Sequence, residues 1–106
     1  MALENLRREL AERRHAAERV ARVVLARRAR RELLDLAWPL IDAIEDALGL
    51  LERDPHTGHP LRGPLRGLRS LHVGTYRIVY QLTDADQTVR VAAIRHRSVA
   101  YRSDRR

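Results

Sequence analysis

At 106 residues with 44% hydrophobic content the chain is sized for one domain with a modest core, and the absence of cysteine excludes disulfides and thiolate metal sites. No apolar run reaches membrane-spanning length and no signal-peptide pattern opens the chain, so the sequence reads as soluble, cytoplasmic and free of membrane association. The formal net charge is +7, all 21 basic residues are arginine, and the excess lies in residues 53–106, which hold eleven arginines against four acids. Every fixed positive charge is therefore a planar fork suited to phosphate or carboxylate, and a polyanion, either nucleic acid or an acidic protein segment, is the partner this implies.

Taken in order, Met1 to Arg19 predicts a helix with Leu3, Leu6, Leu10 and Ala17 along one side and pairs such as Glu4 with Arg8 and Glu9 with Arg13 on the others. Its apolar stripe is thin, as in an amphipathic arm. Val20 to Leu25 is short and rich in valine and predicts a first strand. Ala26 to Leu36 turns helical, with Ala29, Leu33 and Leu36 inward and Arg27, Arg28, Arg30 and Arg31 outward. Trp38-Pro39 interrupts it, because proline disfavours helix in the residue before it, and Pro39 then opens a second helix to about Glu52. Leu40, Ile41, Ala43, Ile44, Ala47, Leu48 and Leu51 give that helix a broad apolar stripe, and Trp38 reads as a packing residue.

Asp54 to Gly67 is turn material. His56 and His59 beside Asp54 make a weak metal signal without a third convergent ligand, and Arg62 and Arg66 in LRGPLRG suit either a phosphate-contacting loop or a tight turn into a sheet. Leu68 to Val73 predicts the second strand, with Arg69, Leu71 and Val73 alternating against Leu68, Ser70 and His72. Gly74-Thr75 leads to the third, where Tyr76, Ile78, Tyr80 and Leu82 share one face and Arg77, Val79 and Gln81 the other. Arg77 is thus a charge planted mid-strand, which requires either a helix carboxylate such as Asp42 or Glu45 or a wet surface that holds anions. The turn TDAD precedes a fourth strand, Thr88 to Arg95, with Val89, Val91 and Ala93 on its core-like face opposed by Arg90, Ala92 and Ile94. Short strands joined by tight turns make an antiparallel meander, and packing it on the helical hairpin gives an α+β domain.

Any chemistry must come from arginine, histidine and tyrosine. Cleaving RNA with such groups needs a base for the ribose 2′-hydroxyl, positive groups on the phosphate and an acid for the departing 5′-oxygen. His72 has an imidazole suited to the base, and His96 is an additional candidate acid. Arg62, Arg66, Arg69 and Arg95 are the further candidate nucleic-acid contacts.

The pieces ARRARREL (Ala26 to Leu33), ERDPHTGHPLRG (Glu52 to Gly63), VGTYRIVY (Val73 to Tyr80) and HRSVAYR (His96 to Arg102) make the run from about Val20 to Tyr101 resemble the RelE/ParE superfamily of type II toxins, in particular its RelE-like branch. The resemblance implies a toxin domain over residues 20–106 preceded by an added helical arm over 1–19. It implies a metal-independent, ribosome-dependent mRNA endonuclease that inhibits translation and needs no cofactor. Arg77 would hold the scissile phosphate, Arg97 would stabilise or protonate the leaving group, and Tyr101 would stack on or orient a base. The implied partners are a cognate antitoxin and mRNA on the ribosome, with operator DNA reached only through the antitoxin and with a homodimer or a toxin–antitoxin hetero-oligomer as the assemblies left open. Ser70 and His72 stand where active relatives often carry lysine or arginine, and Arg95 replaces the glycine usual before the tail histidine. Two other readings therefore stay open: a ParE-like toxin that blocks DNA gyrase through a protein contact, and a non-catalytic module.

Overall fold

The computed structural model describes residues 3–10 and 20–98, together with the backbone of 99 and 100. Residues 3–10 are helical (α1) and leave Leu3, Leu6 and Leu10 exposed. The expected boundary between arm and domain at residue 19 lies outside the described residues.

The valine-rich RVVL segment forms β1 (Arg22–Leu25), which hands over to two helices, α2 (Arg27–Leu34) and α3 (Trp38–Arg53). Both helices start after an alanine in extended conformation with no side-chain cap, and proline in the first turn of α3 replaces a donor that would have no helical acceptor. Their inward residues follow the expected stripe, with Ala29, Ile44 and Leu51 buried and Leu33, Leu36, Leu40, Ala47 and Leu48 packed around them. Trp38 departs from its expected packing role and is 71% exposed. Residues four and seven positions along a helix share its azimuth, so Trp38 lies over Asp42 and Glu45 on the outward stripe, where both neighbours are exposed.

The sheet has the order β1-β5-β4-β3-β2. Its centre is the expected antiparallel meander of β3 (Arg69–Val73), β4 (Tyr76–Thr83) and β5 (Thr88–His96). Gly74 takes φ +60 in the two-residue turn between β3 and β4, a left-handed geometry that glycine accepts without steric cost. Two edges extend this meander. On one side β1 pairs parallel with β5, from Arg22 opposite Thr88 to Leu25 opposite Val91. On the other side the segment read as turn supplies β2 (His59–Pro60), which pairs antiparallel with Ser70 and Arg69. Beyond the end of β1, α2 meets the outer edge of β5, where the Ile94 N–H donates to Glu32 Oε1 at 2.9 Å.

Alternation fails at one place in β5. Val79 is opposite Ala93 but Tyr80 is opposite Val91, so Ala92 is an extra residue in a bulge. Side-chain parity flips across it. Ile94, expected to face away from the core, is buried at 2% exposure beside Val89 and Val91, and Ala93 moves to the opposite face. Tyr80, Ile78, Val89, Val91 and Ile94 from the sheet close on Ile44 and Leu51 from α3, and full burial of each aliphatic side chain contributes about 1.5–3 kcal/mol.

Candidate anion-binding and acid–base site

Because α2 and α3 cover the face that carries Tyr80 and Ile78, residues of opposite parity define a second face. Directly opposed pairs place His72 of β3, Arg77 of β4 and Arg95 of β5 in one row across three strands. The next row holds His59, Ser70, Val79 and Ala93. These two rows are cationic by construction, since their charged and titratable members are two imidazoles and two guanidiniums.

His72 is exposed and is the one imidazole in the row. Its pKa lies below the ordinary histidine value, through partial loss of hydration first and then through the positive charges of Arg77, His59 and Arg97. A neutral imidazole at pH 7 is the form that accepts a proton. The His59 ring stands nearly perpendicular to it, with centroids 4.9 Å apart. Arg77 is seated low, at 6% exposure, with Nη1 donating to the Tyr76 carbonyl oxygen at 3.2 Å. Arg95 shares the face but is held at its edge, with Nε 3.3 Å from Glu32 Oε2. Arg97 opens the four-residue α4 (Arg97–Ala100), and its N–H donates to the Thr75 carbonyl at 2.6 Å, which ties the end of β5 to the β3–β4 turn.

Underneath, a hydrogen-bonded knot fixes β2. The buried Tyr80 hydroxyl donates to the Pro55 carbonyl at 2.9 Å and accepts from the Gly58 N–H at 3.0 Å. From β3, Arg69 Nη2 donates to the carbonyl oxygens of His56 at 3.0 Å and Gly58 at 2.5 Å. His59 follows Gly58 directly, so its position is set from below by the core face.

The candidate residues therefore separate. His72, Arg77 and Arg95 share one row, and Arg97 is near enough for its charge to act on His72. His96 is opposite Tyr76 on the other face, in edge contact with it at 5.4 Å, with Nδ1 3.0 Å from Ser98 Oγ. Arg69 is likewise on the core-side parity, and its guanidinium is engaged by loop carbonyls. Arg62 and Arg66 are exposed on either side of a 3-10 turn, Gly63–Leu65, on the loop from β2 to β3. Tyr101 lies outside the described residues. Among the described residues no three metal-ligating side chains converge. His59 is the residue that sequence reasoning left out of this face; the signal was a histidine beside a proline, a pair that suits a short edge strand.

A helix-backed sheet whose open face collects histidine and arginine is the architecture of a small α+β protein with a cationic surface. Residues 23–101 match the family model described as the ParE toxin of type II toxin–antitoxin systems, parDE. The toxin RelG of Mycobacterium tuberculosis (strain ATCC 25618 / H37Rv) is 41% identical over 76 residues, spanning 70% of this chain and 87% of that protein. The toxin RelE of the same organism is 38% identical over 82 residues, spanning 76% and 84%. Among solved structures, the toxin–antitoxin complex RelBE2 from M. tuberculosis contains a chain 38% identical to this one, with a TM-score of 0.66 over 73% of this chain and 98% of that one. The chain belongs to the RelE/ParE superfamily and is the toxin of a type II toxin–antitoxin system.

Proposed function

We propose that this toxin cleaves messenger RNA on the ribosome without a metal ion. The observation that carries the reading is His72 directly opposite Arg77: an exposed imidazole biased toward its neutral form, beside a guanidinium and within the field of a second at Arg97. In the proposed step His72 takes the proton of a ribose 2′-hydroxyl as the 2′-oxygen bonds to phosphorus. The bond from phosphorus to the 5′-oxygen breaks, leaving a 2′,3′-cyclic phosphate, and the departing oxygen takes up a proton. Arg77 and Arg97 offset the charge that builds on the phosphoryl oxygens, a role for which pre-oriented donors are worth most. Since the attacking group is the 2′-hydroxyl, RNA is cut and DNA is not. The ribosome, as the place where the message is presented, is what resemblance to the RelE-like branch implies.

A second reading, inhibition of DNA gyrase by a protein contact, is favoured by the family model itself, which is that of the ParE toxins. One experiment separates the two. The purified protein is added to in vitro translation of a defined message, new 5′ ends are mapped, and a gyrase supercoiling assay is run beside it. New ends that require ribosomes are expected; an intact message with blocked supercoiling would move the assignment to gyrase.

A cognate antitoxin is the partner we assign to this toxin, in keeping with the RelBE2 relative, which is a toxin–antitoxin complex. An acidic or amphipathic segment is the chemistry that would cover the cationic face. Residues 1–19 are proposed to be an arm outside the folding unit, since the family match begins at residue 23. Deleting them is expected to leave a single cooperative denaturant transition, and its loss in the truncated protein would show that the arm belongs to the domain.

A further inference from the structure

Four histidines of this chain lie among its described residues, and two of them meet on the open face of the sheet. His59 has no part in the reaction proposed above. It sits on β2, one strand further from Arg77 than His72, with its ring at 79° to that of His72 and centroids 4.9 Å apart. That geometry is an edge contact between two aromatic rings, which favours one orientation of each. His59 is not placed there by a floppy segment. Gly58 before it is buried and bonded to the Tyr80 hydroxyl, Pro60 after it has a restricted backbone, and β2 pairs with β3 at both its residues.

We infer that His59 is a positioning residue for His72: the edge contact between the two rings holds the base in orientation. The inference rests on the nuclease reading for its role in the reaction, and on the contact of the two rings for its physical content. The charged groups that face His72 are His59 from β2, Arg77 from β4 and Arg97 from α4. Arg95 of β5 lies across Arg77 in the same row and is paired with Glu32 of α2. All three groups acting directly on His72 are cationic or can become so. The two arginines are fixed charges and only His59 titrates, so it alone makes the ionisation of His72 depend on a neighbour's protonation. As pH falls, the first proton on the pair repels the second, which keeps His72 competent as a base at lower pH than a solitary imidazole.

The test uses the full-length protein with His59→Gln, which removes ring and charge, and His59→Phe, which keeps the ring edge and removes the charge. Ring signals of His72 are followed by NMR through a pH titration, and ribosome-dependent cleavage is measured across the same range. Loss of the charge is expected to raise the His72 midpoint by roughly half a pKa unit in both variants, the size set by two unit charges about 5 Å apart in a water-like medium. The acid limb of the cleavage profile moves up with it. The plateau rate at high pH falls several-fold in His59→Gln and by less in His59→Phe, because the phenyl edge still orients the base.

An unchanged His72 titration in both variants would overturn the inference even where cleavage is intact. So would equal loss of plateau rate in both variants with no movement of the acid limb, since that is the behaviour of a purely structural residue. Coupled titration in a wild-type protein that cuts no message would instead remove the nuclease reading, and with it any part for His59 in a reaction.

Discussion

Arg77→Ala is expected to lower ribosome-dependent cleavage by about 100- to 1,000-fold, the usual consequence of removing one pre-oriented donor from a developing oxyanion. The residue is the one guanidinium of β4, at its second position and directly between His72 and Arg95, and its backbone is held on both sides by strand pairing. Its low seat, at 6% exposure, means that few rotamers are open to it, so little ordering remains to be done when a phosphate arrives. Arg77→Lys separates charge from geometry. Lysine keeps the positive charge but lacks the planar fork, so an intermediate rate is expected if two-point contact with phosphate matters. Cleavage is read by mapping 5′ ends, and the folded state of each variant by its denaturant midpoint. An Arg77→Ala protein that folds and cuts within threefold of wild type, a margin of well under 1 kcal/mol, would end the assignment of the phosphate to this side chain.

The period of two was enough to foresee most of this face. Tyr76, Ile78, Tyr80 and Leu82 turn inward as the alternation requires, and the same rule sets Arg77 and His72 outward together. The same parity decides two further positions. Arg69 alternates with Leu71 and Val73, so parity alone puts its guanidinium on the helix-covered side, away from His72. His96 and Arg95 likewise cannot share a face while both are in β5. Other features were not legible, for physical reasons. The bulge at Ala92 is fixed by cross-strand pairing, and nothing in TVRVAAIRH marks which residue will be the extra one. β2 is two residues long and has no strand propensity of its own; the Tyr80 hydroxyl and the Arg69 guanidinium create it from a distance in sequence. Trp38 reads from the sequence as a packing residue, whereas its angle on α3 relative to Asp42 and Glu45 decides the matter. The dependence of β2 on distant bonds is also the reason that His59 was read only as a weak metal ligand.

That dependence makes Gly58 the most sensitive position for the link between fold and site. A Cβ at Gly58 would lie 2.6 Å from the Tyr80 hydroxyl oxygen, 2.7 Å from the Ser70 carbonyl oxygen and 3.0 Å from the Ser70 carbonyl carbon. None of these can yield cheaply: Ser70 is strand backbone, paired with both His59 and Val79, and Tyr80 is fully buried with its hydroxyl bonded on two sides. The added methyl must therefore lift β2 off β3 or displace Tyr80 within the core. Overpacking of this kind costs about 1–3 kcal/mol, and occasionally more, so Gly58→Ala is expected to lower Tm by roughly 5–20 °C for a domain of this size. Tyr80→Phe is the companion variant. It leaves the Gly58 N–H and the Pro55 carbonyl without their partner and costs about 1–3 kcal/mol by a different route. Combining the two should cost less than the sum, because the phenylalanine vacates the space that the methyl needs while Ser70 still crowds it. In Gly58→Ala the lifted strand also carries His59 away from His72, so the His72 midpoint should rise in the protein that remains folded. Wild-type stability in Gly58→Ala would mean that β2 tolerates displacement, and the rigid seating of His59 would have to be abandoned.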